Sequence, residues 1–139
     1  MLFKGILTIA VVALTVSSLV AGPVKDGSLT GTSNGSSILL RWLSEDETGV
    51  VRIEVERAVG VDGPFINLNQ LQPLGNGKSY EYIDDSAFRL VGTTSDTIYR
   101  YRIRAVFADG STVVSQPISV SHVVSSVRRT WGSIKAMFR

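Results

Sequence analysis

The sequence predicts an all-β protein, an antiparallel β-sandwich, from two observations. Short runs of residues alternate between apolar and polar side chains, and clusters of turn-forming residues separate these runs. The clearest runs are "ILLRW" (38–42), "VRIEVER" (51–57) and "IYRYRIRAVFADG" (98–110), and the turn signals are "DETG", "VDGP", "LGNGK" and "ADGS". Strand side chains point alternately to opposite faces of a sheet, so a period of two residues is typical of half-buried strands. Roughly six or seven such strands without helices indicate a sandwich.

The three clear runs each place their apolar residues on one face. These residues are Ile38, Leu40 and Trp42 in the first run, Val51, Ile53 and Val55 in the second, and Tyr99, Tyr101, Ile103 and Ala105 in the third. The opposite face of each run is polar and is expected to be wet, as in antiparallel sheets with one solvated side.

Weaker strands are predicted at "FINL", "SYEYI" and "VVSQPISVSHVV". In the last of these, Pro117 has no N–H to donate to a neighbouring strand, so it should lie at a bulge or at an unpaired edge. No helix is expected between Gly22 and Val124.

These runs, taken together, resemble the strands of a known domain family. "ILLRW", "VVRIEVERA", "SYEYID" and "IYRYRIRAVFADGS" together resemble a fibronectin type III domain, in the variant common in bacterial secreted proteins, over about residues 28–124. Trp42 matches the tryptophan of the family's second strand, and Tyr99 matches its corner tyrosine on the sixth strand. The resemblance implies an immunoglobulin-like sandwich with both side chains in the core, and it implies no activity.

The chain is divided into three parts. Residues 1–21, with Lys4 as the one charge before an apolar run, are predicted to be a secretory signal peptide cut after Ala21. The alternatives are an uncleaved membrane anchor, since Gly5–Ala21 spans 17 residues, and a pilin-type leader cut after Gly5. Residues 22–127 form the predicted sandwich, and residues 128–139 form a basic amphipathic C-terminal tail.

Composition separates the tail from the body. Residues 22–127 contain nine lysines or arginines against twelve acidic residues, whereas residues 128–139 contain four basic residues and no acidic one. The body is therefore acidic, and a nucleic-acid-binding face spread over it is not expected. The chain has no cysteine, which favours a protein of a bacterial envelope or the extracellular space that is held together by its core alone.

No catalytic site, cofactor or metal site is predicted. A nucleophilic relay needs a base, and the one histidine, His122, has no Asp or Glu within ten residues in sequence, so a core or edge position is expected. The acidic residues at 45–47 and 84–85 occupy turn-like contexts in which solvation or weak Ca²⁺ binding suffices. Neither group has the spacing of a calcium-binding loop.

Two surface features have structural explanations. Arg100, Arg102 and Arg104 form a row that could bind an anion, but cross-strand pairing with Glu54 and Glu56 explains it better. Scattered aromatic residues could form a sugar-stacking platform, but Tyr80 and Tyr82 share one strand face, so burial is the expected state. The other two aromatic candidates are Phe65 and Phe88.

The tail is spaced as a helix rather than as a strand. If Thr130 caps a helix, the apolar residues after it cover an arc of about 120° with the basic residues beside them. The candidate binding residues are Arg128, Arg129, Trp131, Ile134, Lys135, Met137, Phe138 and Arg139. A helix this short needs a surface to hold it. That surface could be a protein partner, the chain's own sandwich or an anionic membrane.

The expected function follows from these parts. The chain is interpreted as a non-catalytic secreted module, structural or protein-binding, of a bacterial envelope or extracellular assembly, with a tail for docking or sorting. The alternative is an accessory module that binds a ligand such as a polysaccharide.

Overall fold

The computed structural model describes residues 22–87 and 97–122. Within these ranges the chain forms eight β-strands and no helix. The strands are β1 (Thr30–Ser33), β2 (Ile38–Leu43), β3 (Val50–Val59), β4 (Ile66–Leu71), β5 (Ser79–Asp84), β6 (Thr97–Phe107), β7 (Thr112–Val114) and β8 (Ile118–His122).

The strands form two antiparallel sheets that pack as an immunoglobulin-like sandwich, which confirms the predicted fold class. The smaller sheet has the order β1-β2-β5. The larger sheet has the order β4-β3-β6, and both β7 and β8 pair with the remaining edge of β6. Pro117 lies between β7 and β8 on this outer edge, in the kind of position predicted for a residue without an N–H.

The core lies between the sheets and is built from the residues that the alternation selected. Trp42 of β2 pairs with Tyr80 of β5, and their rings stack with centroids 4.9 Å apart. Trp42 is only 2% exposed, as predicted. The other fully buried apolar side chains include Ile38, Leu40, Ile53, Val55, Tyr101, Ile103 and Ala105.

Tyr99 fixes the start of β6. Its ring is 1% exposed, and its hydroxyl donates a hydrogen bond to the carbonyl oxygen of Ala87. This bond connects β6 to the chain segment that follows β5, as a corner tyrosine does in immunoglobulin-like domains. The expectation that Tyr99 is a packed ring tied to nearby backbone is confirmed.

Strand β3 departs from the predicted pattern at both of its ends. The pairing with β6 shifts between Val50 and Arg52, so Val50 is buried while Val51 is 48% exposed. At the far end, Arg57 occupies an inward position and is buried. The expectation that the opposite face of β3 is solvated was also wrong for Glu54 and Glu56, which are buried beneath arginine side chains.

The two sheets approach closely where β1 faces β8. A Cβ atom at Gly31 would lie 2.5 Å from Cγ2 of Val120, closer than two carbon atoms can pack. Glycine therefore lets β1 approach β8, which brings the β1–β2 turn beside the end of β8.

The remaining predicted segments lie outside the described residues. These are the signal peptide at 1–21 and the tail at 128–139. Among residues 22–87 and 97–122, no helix has the length and apolarity that crossing a bilayer requires.

Replacing Trp42 with alanine should destabilise the sandwich by about 3–5 kcal/mol, because it empties a large aromatic site in the core. Leu43→Ala is the matched control, since the neighbouring side chain lies on the opposite face and is 39% exposed, and it should change stability by less than about 1 kcal/mol. Urea titration measures both. Equal effects of the two substitutions would contradict the strand register.

Candidate functional site

The eight tail residues predicted to bind a partner lie outside the described residues, as does Phe88. The tail therefore stays a prediction. The structure does place the other candidates, which fall into four groups of polar side chains on or within the sandwich.

The first group is an arginine–glutamate ladder on the outer face of the larger sheet. The β3–β6 register places Glu54 opposite Arg104 and Glu56 opposite Arg102. Nε of Arg102 lies 2.6 Å from Glu56, and Arg104 bonds the other oxygen of the same carboxylate. Arg52 bonds Glu54 at 2.9 Å. The predicted cross-strand pairing is confirmed.

The ladder keeps its charges. Burial alone would raise the pKa of Glu56, but hydrogen bonds from Arg104 and Arg102 outweigh burial and lower that pKa. The bond to Glu56 also raises the pKa of Arg104. Glu56 and Arg104 therefore stay ionised at neutral pH and bonded to each other.

The ring of Phe65 packs against Arg102 of the ladder and against the nearby Arg100. The guanidinium of Arg102 lies 4.0 Å from the ring centroid and that of Arg100 lies 5.0 Å away, a cation–π arrangement. Arg100 also donates to the carbonyl oxygens of Gly60 and Gly63. Phe65 is therefore occupied, and Tyr80 is buried, so neither forms an exposed sugar-stacking platform.

The second group is a buried ion pair between the sheets. Arg57 of β3 donates to Asp84 of β5 at 2.6 Å, and both side chains are 1% exposed. The hydroxyl of Tyr101 on β6 donates to the same carboxylate oxygen at 2.7 Å, while Ser86 donates to the other oxygen. The cluster joins the smaller sheet to the larger one through a single carboxylate.

The surroundings of this cluster favour one protonation state for Asp84 and for Tyr101. Burial would raise the pKa of Asp84, but the hydrogen bonds from Tyr101, Arg57 and Ser86 together lower it. Burial, followed by the bond to Asp84, raises the pKa of Tyr101. The carboxylate therefore stays ionised and the phenol stays protonated, so neither group exchanges a proton near neutral pH.

The third group centres on Glu47, which is 6% exposed. Its carboxylate accepts from the hydroxyl of Tyr80 at 2.5 Å and from the backbone N–H of Gly75 at 2.8 Å. Burial and the bond to Glu47 raise the pKa of Tyr80 to about 12. The expectation that the acidic residues at 45–47 and 84–85 are solvated was wrong for Glu47 and Asp84, both of which hold loops or sheets together.

The fourth group pairs His122 with Ser33, 89 residues apart in sequence. Oγ of Ser33 lies 2.7 Å from Nδ1 of His122. The imidazole is 4% exposed, and its edge faces the ring of Tyr99. The core or edge position expected for His122 is confirmed. Its serine partner could not be predicted, because sequence spacing does not show that β1 and β8 meet.

The surroundings of this pair in the described residues differ from those of a catalytic triad. Nε2 of His122 is buried and has no hydrogen-bond partner in the described part of the chain. A triad needs a third group that orients the base. Within residues 22–87 and 97–122 no three acidic or histidine side chains are grouped to hold a metal ion.

The described part of the sandwich also has concave surfaces. A cleft of about 220 Å³ lies between the segment at 22–26 and the edge at 113–116, smaller than the roughly 300–1,000 Å³ of most small-molecule sites. An open depression of about 470 Å³ lies on the smaller sheet, with Arg41 and Glu81 at its margin.

Several carboxylates, exposed or half-buried, lie at the end of the sandwich beside the cleft. Backbone hydrogen bonds join residues 22–25 to residues 43–46, and join Ala108 to Gly49. These bonds bring Asp26, Glu45, Asp46 and Asp109 to one end. Hydrogen bonds from Thr48 lower the pKa of Asp46, and hydrogen bonds from Ser111 lower that of Asp109, so this end remains negatively charged.

Comparison with known proteins gives similarity in fold. No family model and no curated protein matches the chain. Wild-type OgpA from Akkermansia muciniphila is similar in structure, with a TM-score of 0.53 and 11% identity over 74% of this chain and 28% of that one. This likeness supports the sandwich fold and nothing more.

Two pectate lyases are also similar in part. PelI from Erwinia chrysanthemi, solved in complex with tetragalacturonic acid, has a TM-score of 0.49 and 23% identity over 67% of this chain and 27% of its own. Pel3 from Pectobacterium carotovorum has a TM-score of 0.48 and 23% identity over 69% and 26%. The chain thus spans about a quarter of the length of these proteins.

Acid should weaken the sandwich through Asp84. A carboxyl whose pKa is lowered by folding stabilises the folded state above its unfolded pKa, about 3.9 for Asp. That contribution is lost as the pH falls through the lower folded pKa. Urea titrations should therefore show falling stability below about pH 4, with a smaller fall in the Arg57→Met/Asp84→Leu double variant.

Two controls accompany this measurement. Asp84→Asn alone should cost about 3–5 kcal/mol near neutral pH because it leaves Arg57 charged and buried without its partner. Asp85→Asn, at the exposed neighbouring position, should leave both stability and its pH dependence nearly unchanged. An Asp84→Asn variant as stable as the parent would contradict the inter-sheet role.

Proposed function

We propose that the chain is a non-catalytic, secreted sandwich module of the fibronectin type III kind, belonging to a bacterial envelope or extracellular assembly. It docks on a protein partner through its basic C-terminal tail at 128–139. The positions of Trp42 on the second strand and Tyr99 on the sixth support the family resemblance.

The observation that carries this proposal is the separation of charge between body and tail. The described residues contain eight lysines or arginines against eleven acidic residues, and the tail contains four basic residues and no acidic one. Most buried ionisable groups of the body are used in internal bonds between strands and loops. The body therefore acts as a rigid support, and the tail supplies the charge that a partner recognises.

A protein partner fits these features better than the two other surfaces. The acidic end of the body would be repelled by an anionic membrane. The tail could bind the acidic end of its own sandwich. The same acidic end on a neighbouring copy could bind the tail equally well, and that copy would then be the protein partner. Recognition of an acidic and apolar protein surface uses both the basic and the apolar residues of the tail.

A chain that ends at Val127 should fold with nearly unchanged stability but lose its cellular placement or assembly. Trp131→Ala with Phe138→Ala should reproduce this loss while preserving charge. Arg128→Ala with Arg129→Ala should weaken docking in a salt-dependent way, since exposed charges are screened within about 8–10 Å at physiological salt. Fractionation of exported protein and urea titration give the two readouts.

Lys25→Ala with Lys78→Ala is the matched control, because both side chains are exposed on the body and the pair removes the same charge as the arginine variant. It should leave placement intact. If truncation lowers the free energy of unfolding by several kcal/mol and leaves placement unchanged, the tail belongs to the core and the docking proposal fails.

A second candidate function is ligand binding on the smaller sheet, as an accessory module would use it. The depression of about 470 Å³ there has the volume of a small-ligand site. Ser28, Ser79, Arg41 and Glu81 line it and could bond sugar hydroxyls.

Oligosaccharide titration tests this candidate. Maltohexaose as a neutral probe, or tetragalacturonic acid as an acidic one, should shift the backbone NMR signals of Arg41 and Glu81 if the depression binds sugar. Arg41→Ala should abolish the shifts without unfolding the chain, because the Arg41–Glu81 pair is exposed and such pairs contribute little to stability. No shift with either sugar leaves the docking module as the surviving proposal.

A further inference from the structure

The turn between β1 and β2 gathers several reactive groups around one side chain. Asn34 is exposed at this turn and is followed by Gly35, whose φ is 83°. The backbone N–H of Gly35 donates to Oγ of Ser33 at 3.3 Å. Ser33 in turn lies 2.7 Å from Nδ1 of His122. A buried base thus contacts the Gly35 amide through one hydroxyl group.

The side-chain carbonyl of Asn34 is held on its other side by donors. Its Oδ1 accepts from the backbone N–H of Ser36 at 2.9 Å and of Ser37 at 2.8 Å. Two backbone N–H groups on one oxygen are the arrangement that stabilises a developing oxyanion. Among the described residues no acceptor holds Nδ2 of Asn34, so that nitrogen is free to leave.

We propose that Asn34–Gly35 is a self-modification site at which the Ser33–His122 pair promotes conversion of Asn34 to aspartate or isoaspartate. The amide nitrogen of Gly35 attacks Cγ of Asn34 and closes a five-membered ring. Its proton passes to Oγ of Ser33 as the hydroxyl proton moves to Nδ1 of His122. The electron pair of the side-chain carbonyl moves onto Oδ1, between the two N–H donors.

The second half of the reaction needs only water. When the carbonyl reforms, the bond from Cγ to Nδ2 breaks, and the leaving nitrogen takes back the proton from His122 through Ser33 and departs as ammonia. Water then opens the ring at either carbonyl, giving aspartate or isoaspartate at position 34. The net change replaces one amide by one carboxylate and releases one ammonia.

The chain contains its own reference site. Asn76 is also followed by a glycine, but the N–H of Gly77 donates to the backbone carbonyl of Ser44 at 3.2 Å. An amide carbonyl is too weak a base to remove that proton. One donor, the N–H of Glu47, reaches Oδ1 of Asn76. The two sites share the Asn–Gly sequence and differ in the base and in the second donor.

The product would change the turn. A new carboxylate would add negative charge to an already acidic body. Isoaspartate would also lengthen the main chain within a turn that the N–H of Asn34 closes on the carbonyl oxygen of Ser37 at 3.1 Å. The fraction of modified chains would therefore increase with the time since synthesis, and this inference does not depend on the proposed function.

Peptide mass spectrometry of the full chain, incubated at neutral pH for increasing times, follows both sites at once. Folded protein should lose the amide of Asn34 roughly 10²-fold faster than that of Asn76, the lower end of what a positioned general base contributes. The same measurement in denaturing urea gives the ratio of the two rates that local sequence alone produces, and this ratio of Asn34 to Asn76 should be near one. Equal rates at the two sites in the folded protein would overturn the proposal.

Variants separate chemistry from structure. Ser33→Ala should bring the rate at Asn34 down to that at Asn76, whereas Ser33→Thr, which keeps the hydroxyl, should restore it. A variant that merely loosened the fold would raise the rates at both sites, the opposite direction. His122→Gln should also slow Asn34, and an unchanged rate in that variant or in Ser33→Ala would contradict the relay.

The histidine tautomer is an independent readout. The relay requires Nδ1 of His122 to accept from Ser33, so the ring proton must sit on Nε2. Nitrogen-15 NMR of the imidazole distinguishes the two tautomers directly. A proton on Nδ1 would mean that His122 donates to Ser33, and the proposal would be wrong.

Discussion

The sandwich depends on one carboxylate that lies between its sheets. Asp84 ends β5 in the smaller sheet, while its partners Arg57 and Tyr101 lie on β3 and β6 in the larger one. An ion pair that is 1% exposed on both sides has lost its hydration, a cost that geometry and additional hydrogen bonds must offset. The bonds from Tyr101 and Ser86 provide that compensation. In a chain without cysteine, this cluster connects the two sheets without a covalent bond.

The same cluster positions the far end of the sandwich. The guanidinium of Arg57 lies 5.3 Å from the ring centroid of Tyr99. The centroids of the Tyr99 and His122 rings are 6.1 Å apart in an edge-on arrangement. Tyr99 is also fixed through its hydroxyl to Ala87. The imidazole is therefore held on one side by a packed aromatic ring and on the other by Ser33. The β1–β2 turn is thus bonded to an imidazole that packs against Tyr99.

The alternation of apolar and polar residues was enough to predict β2 to β6, the burial of Trp42 and Tyr99, and the pairing of the glutamates with the arginine row. It did not find β1, and it gave β7 and β8 as one run. It could not find Arg57 or Asp84, because period two assigns a residue to a face without showing that a charge there meets its opposite from another sheet. These partners are 27 residues apart. Val51 was misplaced because the shift in β3 pairing between Val50 and Arg52 changes which residues face inward.

The charged clusters of the described body are bonded within the chain. A catalytic group must be able to exchange a proton near neutral pH, yet the Asp84 and Glu56 clusters hold their protonation states through strong bonds. In the described residues, unpartnered buried side-chain nitrogens occur at Arg57 and His122. Arginine keeps its proton and has no acceptor atom, whereas the imidazole of His122 has a second ring nitrogen, Nδ1, 2.7 Å from Oγ of Ser33. Because His122 is 4% exposed, the groups within its reach belong to the chain itself, so its chemistry is directed at the adjacent turn.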